Sequence, residues 1–190
     1  MLTTRQIELV KATVPVLREH GVALTTHFYK RMLSHNPELR NVFNQVHQAR
    51  GHQQKALAGA VLAYAENIEN PAVLLPAVKF IASKHATIGI RAEHYPIVGK
   101  HLLASIKEVL GDAASDELID AWAAAYGQLA DLLIKVEGDI YKEQANTEGG
   151  WSGWRPFLVE ERVEETPDVG SFYLKPAAGR MVPAHKPGPF

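Results

Sequence analysis

Apolar residues recur every three or four positions through about the first 145 residues, and that period belongs to amphipathic helices rather than strands. Ile7, Val10, Val14 and Leu17 form one stripe behind a capping threonine, Thr3 or Thr4, and the His20-Gly21 pair predicts its end. Leu24, Phe28, Met32 and Leu33 form a second stripe, with Tyr29 beside it. Asn36-Pro37 and Asn70-Pro71 each read as a cap followed by proline at the first helical position. Between them, His52 to Ile68 sets Gln53, Leu57, Val61, Tyr64 and Ile68 on one face. Further stripes are Leu74, Val78, Ile81, Ala82 and His85, then Tyr95, Val98, Leu102, Ile106 and Val109. From about Asp116 to Glu143 the inward set is Leu118, Trp122, Ala125, Leu129, Leu132, Val136 and Ile140. Seven or so helices joined by short capped loops predict an all-α domain over residues 1–145.

The pattern breaks at "ANTEGGWSGW", where Gly149, Gly150 and Gly153 predict a linker over residues 146–153. Beyond it, "PFLVEERVEE" and "VGSFYLKP" predict two short strands around Thr166-Pro167-Asp168, and "MVPAHKPGPF" predicts a loop. An isolated hairpin is marginal in water, so residues 154–190 read as the start of a second, incomplete domain.

Composition narrows the function classes. The 190 residues carry a formal charge of −1, which gives no electrostatic reason to expect nucleic acid or an anionic membrane as partner. No uncharged stretch approaches the roughly 20 apolar residues of a spanning helix, and Arg5, Glu8, Lys11, Arg18 and Glu19 interrupt any leader-like core. The absence of cysteine removes disulfides, thiolate ligands and a cysteine nucleophile, and fits a reducing compartment. A soluble, cytoplasmic protein is expected.

Three histidines lie in "KFIASKHATIGIRAEHYPIVGKHLL". His85 follows Val78, Ile81 and Ala82 at helical spacing and points inward. His94 and His101 share a face that is not the Tyr95–Val98–Leu102 stripe, which predicts that both are solvent-exposed. A zinc cage needs three or four convergent ligands, and the spacing offers none. Two readings of His85 stay open: a hydrogen-bonded core histidine, the more frequent case, or the single axial ligand of a large cofactor such as haem.

"HFYKRM" (27–32), "HNPELRNVFN" (35–44), "AYAENIENP" (63–71), "KHATIG" (84–89), "YPIVGKHLL" (95–103), "AWAAAYG" (121–127) and "GGWSGWRPF" (149–157) resemble, in order and in spacing, the flavohaemoglobins. That resemblance implies a globin fold followed by the beginning of a ferredoxin-reductase-type FAD-binding barrel. It implies haem b with His85 as the proximal iron ligand, Glu137 accepting the proton of its other nitrogen, and Tyr95 joined to that relay. Lys84 resembles a lysine tied to redox potential. On the distal side it implies Tyr29 as a hydrogen-bond donor to dioxygen, Gln53 as a second polar contact, Leu57 as a wall and Phe43 against the haem plane. Tyr95, Glu137 and Tyr29 would thus be the catalytic residues and His85, Phe43, Gln53, Leu57 and Lys84 the haem-binding ones. Taken alone, Glu137 reads as a solvated residue near a helix end, Tyr95 and Tyr29 as core aromatics, and Lys84 as an exposed, silent lysine.

The activity implied is nitric oxide dioxygenation, in which O₂ and nitric oxide give nitrate with electrons from a flavin- and nicotinamide-dependent reductase. The corresponding family segment continues through a "PGQY"-like turn, whereas this chain reads Pro187-Gly188-Pro189-Phe190. FAD is therefore expected only with a reductase part that this chain does not contain, and a separate reductase could serve it. A haem module that binds or senses O₂ or nitric oxide without turnover is the alternative.

Overall fold

The computed structural model describes residues 1–43, 50–179 and 181–184. Among them the helices are α1 (Thr4–Ala12), α2 (Val14–His35), α3 (His52–Glu66), α4 (Leu75–Thr87), α5 (His94–Leu110) and α6 (Asp116–Asn146). Tight 3₁₀ turns at Pro37–Asn41, Pro71–Leu74 and Gly111–Ala113 connect several of them. The chain divides into two units, Met1–Glu137 and Gly138–Phe190.

In the first unit, α1 opens with a capping box: the Gln6 amide donates to Thr3 Oγ1 at 3.2 Å, and the Thr3 amide donates to Gln6 Oε1 at 2.9 Å. The first helix stops at Ala12 and a new one begins at Val14, where Pro15 tolerates the first turn because no intrahelical donor is needed there. The expected stop at His20-Gly21 does not occur. Gly21 lies inside α2, and a side chain there would stand 3.5 Å from Ala58 Cβ, so its smallness serves the close approach of α2 and α3. Both proline signals hold as turn starts, but they open 3₁₀ turns at Pro37 and Pro71 with no side-chain cap from Asn36 or Asn70.

The core is built where α2 packs on α3 and α5, with Phe28, Met32, Ala65, Leu102, Ile106, Ala121 and Trp122 almost fully enclosed. Along α6 the buried row is Leu118, Ala121, Trp122, Ala125, Ala130, Leu133 and Glu137. Leu132, Val136 and Ile140, expected inward, are only half-buried, because over 31 residues the burial line drifts round the helix. On α5 the polar face is not the surface. His94 is half-buried, but His101, expected at the surface, is 2 % exposed. The face opposite the apolar stripe is covered by α2, which meets it with polar side chains that periodicity in apolar residues does not register.

In the second unit, β1 (Phe157–Thr166) and β2 (Val169–Pro176) form an antiparallel hairpin, with Thr166 opposite Val169 across Pro167-Asp168. Both strands fall where the β-branched and aromatic runs around Thr166-Pro167-Asp168 predict. Leu158, Val159, Phe172, Tyr173 and Leu174 are all exposed, as a hairpin alone dictates. Arg155 donates to the Gly149 and Met181 carbonyls at 3.2 and 3.1 Å, while its guanidinium lies over the Trp151 ring. The Pro187–Phe190 turn lies outside the described residues, as does Asn44 of the "HNPELRNVFN" stretch.

Candidate functional site

His85 occupies the last turn of α4, and its side chain is 31 % exposed. Its Nδ1 stands 2.7 Å from Glu137 Oε1 and 3.2 Å from the Tyr95 hydroxyl, which itself donates to the same Oε1 at 2.6 Å. Two residues, from α4 and α5, thus converge on one carboxylate oxygen of α6. Glu137 is 2 % exposed, and a buried carboxylate is tolerable only because two donors meet it. An ionised carboxylate accepts but never donates, so it assigns the proton to His85 Nδ1 and leaves the lone pair on Nε2.

The relay has a support that the sequence did not point to. The Tyr126 hydroxyl on α6 donates to the Tyr95 carbonyl at 2.6 Å, tying the start of α5 to α6. Burial pushes the Tyr126 phenol well above its ordinary pKa, so it remains a donor. Gly99 makes this possible: a Cβ there would come within 2.5 Å of the Tyr126 ring. A helix-interior glycine and a half-buried tyrosine carry no sequence signal for this contact; both look unremarkable until α5 and α6 are brought together.

On α2, Tyr29 is 8 % exposed and meets the rings of Phe28 and Phe43 edge-on, with centroids 4.9 and 5.8 Å away. Burial pushes its phenol up to about 12, so the hydroxyl stays protonated at any physiological pH. Phe43 and Leu57 are partly buried against the same core cluster. Gln53 is half-buried in the first turn of α3, whereas its neighbour Gln54 is the buried one, with its carbonyl accepting from Thr25 Oγ1 at 2.8 Å. Lys84 is exposed, its ammonium 5.1 Å over the Phe80 ring. The structure therefore brings His85, Tyr95 and Glu137 into direct contact and pairs Tyr29 with Phe43.

Among the described residues, neither His85 Nε2 nor the Tyr29 hydroxyl has a hydrogen-bond partner in the protein. An imidazole nitrogen with a free lone pair, and a nine-tenths buried phenol with a proton to give, fit a haem iron and a polar ligand respectively. No group of three or more His, Cys, Asp or Glu side chains among the described residues converges as a metal cage.

A helical domain that presents one carboxylate-oriented imidazole defines a protein suited to give a single nitrogen ligand to a large planar group. The globin family model matches residues 26–133, and the chain belongs to that family. It is 60 % identical over all 190 residues to a flavohemoprotein of Chromobacterium violaceum, and spans 47 % of that relative, about half the length of the curated relatives it matches. An engineered carbene transferase from Rhodothermus marinus, named for nitric oxide dioxygenase, superposes with TM-score 0.73 at 38 % identity over 77 % of this chain and 100 % of its own. The flavohemoglobin of Malassezia yamatoensis with bound FAD and heme superposes with TM-score 0.79 at 32 % identity, over 96 % of this chain and 47 % of its own. The fold is that of a globin carrying a short two-stranded antiparallel sheet, consistent with the start of a reductase domain. No helix among the described residues is long and apolar enough to cross a membrane.

Proposed function

We propose that this chain is the haem- and oxygen-binding globin part of a flavohaemoglobin-type nitric oxide dioxygenase, working in the cytoplasm with electrons from a flavin reductase. The observation that carries the reading is the carboxylate of Glu137 on His85 Nδ1 at 2.7 Å. A carbonyl acceptor would leave the imidazole neutral and moderately donating, whereas an anion gives it imidazolate character, which favours oxygen activation over simple carriage. When bound, haem supplies a reducible iron at which one O₂, one nitric oxide and one electron give one nitrate. His85 Nε2 would hold that iron, and Glu137 would hold the His85 Nδ1 proton. The Tyr95 hydroxyl shares Glu137 Oε1 at 2.6 Å and fixes the carboxylate in place. The buried Tyr29 hydroxyl would donate to the negative charge that builds on an oxygen ligand, and Gln53 would offer a second polar contact there. Phe43 and Leu57 would keep water out; Lys84 would lie outside the pocket.

The test is to load the chain with haem, reduce it in air and mix it rapidly with nitric oxide. One nitrate per haem, followed by repeated turnover once a flavin reductase and NAD(P)H are added, is the expected result. Tight haem binding without nitrate would instead support a module that binds or senses O₂ or nitric oxide. Failure to develop a Soret band would sink both.

A further inference from the structure

A second histidine cluster, absent from the function above, joins α2 to α5. His27, Arg31 and His35 stand four residues apart on α2 and face His101, Ser105 and Glu108 of α5. Arg31 donates through Nη1 to His101 Nδ1 at 2.5 Å and through Nε to Glu108 Oε1 at 3.0 Å. His27 lies between Ser105 Oγ and Glu108 Oε2, at 3.2 Å from each. His101 Nε2 stands 2.9 Å from Asn36 Oδ1.

These partners settle the protonation of His101 by geometry. A guanidinium has donors only, so His101 Nδ1 must be the acceptor and its lone pair must be free. The proton then sits on Nε2 and is donated to Asn36. Burial, and after it the Arg31 charge, disfavour the imidazolium and lower the His101 pKa. Among the described residues, the titratable and charged groups that act on it are Arg31 and His35 from α2 and Lys100 and Glu108 from its own helix. Glu38, in the following turn, reaches it only through Asn36, whose Nδ2 donates to Glu38 Oε1 at 2.7 Å.

Asn36 is where α2 ends and the chain turns toward Phe43. It lies midway in sequence between Tyr29 and Phe43, the two rings that meet at 5.8 Å. We propose that His101 is a positioning residue for the distal side of the site: its neutral imidazole clamps the end of α2 through Arg31 and Asn36, fixes Tyr29 and Phe43, and releases them in acid. The inference rests on the reading of Tyr29 as donor to a haem ligand. Protonation would turn His101 Nδ1 into a donor facing a donor, so the two cations must part; Arg31 keeps Glu108 and His27 keeps Ser105, but the end of α2 at Asn36 loses the clamp that runs through His101.

The test compares the haem-loaded full chain with His101→Gln and His101→Leu between about pH 8 and about pH 5. O₂ dissociation and the C–O stretch of the carbonyl form report the distal hydrogen bond. In the wild type the O₂ dissociation rate should rise about tenfold toward acid, the size of one lost hydrogen bond. Glutamine keeps an acceptor and a donor but cannot gain a proton, so His101→Gln should be slow and flat across the range. His101→Leu should be fast at every pH, with the iron–histidine stretch unchanged. An equal acid rise in the wild type and His101→Gln overturns the clamp, whether or not the leucine variant folds. Tyr29→Phe separates the two readings. If that variant dissociates O₂ at the wild-type rate, the distal role of Tyr29 has failed and the clamp is judged on amide-exchange protection at residues 28–36. That protection must fall in acid for the wild type and hold for His101→Gln; equal protection overturns it.

Discussion

Two buried-side histidines in this fold carry opposite partners. His85 donates from Nδ1 to the Glu137 carboxylate and, among the described residues, leaves Nε2 without a partner, while His101 accepts at Nδ1 from the Arg31 guanidinium and spends Nε2 on Asn36. The imidazole is the same; the charge of the neighbour decides which nitrogen is available and for what. An anion beside His85 raises its electron donation, which suits the ligand role proposed for it. Burial and then the Arg31 cation favour neutral His101, and Arg31 and Asn36 between them take both its nitrogens, which makes it a strut. The comparison teaches that a histidine's role is set by groups on other helices, not by the residues adjacent in sequence.

The largest effect expected from breaking this contrast is at His85. His85→Ala removes the only nitrogen proposed for iron, and haem should be lost on gel filtration or on competition with an apo-globin scavenger, whereas His101→Gln should keep it. Next comes the carboxylate. Glu137→Gln preserves volume but replaces the anion with an amide, and outer partners of metal ligands are typically worth about 10- to 100-fold in affinity or activity. The iron–histidine stretch should move to lower frequency; an unchanged stretch would show that the Glu137 charge does not reach the ligand.

How far the sequence shows these roles can be judged from the same residues. The helices, the hairpin and the inward direction of His85 follow from local rules, because apolar spacing and turn residues act within a few positions. The reading of His85 as a ligand, with Glu137 and Tyr95 as partners, rests on ordered motif resemblance; spacing alone leaves a core histidine as the more frequent reading. His101 is buried where spacing predicts exposure, for a physical reason. Its side of α5 is polar because α2 presents His27, Arg31 and Asn36 to it, and a polar seam between helices has the same sequence pattern as a solvated face. The Tyr126–Gly99 contact was invisible because it depends on the distance between α5 and α6.

A smaller effect separates the histidines by pH. The folded-state pKa of His101 is lowered, so above the ordinary histidine value of about 6.5 both folded and unfolded chains are neutral there and His101 adds no pH slope. Below it the unfolded chain takes up the proton first, and stability falls as acid is added until the folded pKa is passed. The melting temperature should therefore drop a few degrees more between about pH 7 and about pH 5 in the wild type than in His101→Gln. Equal drops in the two proteins would mean that His101 does not titrate with folding.

The smallest expected effect probes what holds Tyr95 in its relay. Tyr126→Phe deletes only the hydroxyl that donates to the Tyr95 carbonyl at 2.6 Å, and the ring still fills the space beside Gly99. Losing one such bond should cost about 1 kcal/mol and lower the melting temperature by roughly 2–4 °C for a domain of this size. If the contact merely adds stability, the iron–histidine stretch of the haem-loaded variant will match the wild type. A shifted stretch, with His101→Gln unshifted at neutral pH, would mean that the α5–α6 contact also sets how firmly Tyr95 holds Glu137, and through it His85. The proximal relay would then extend one residue beyond its three members, while the His101 seam stayed separate from it.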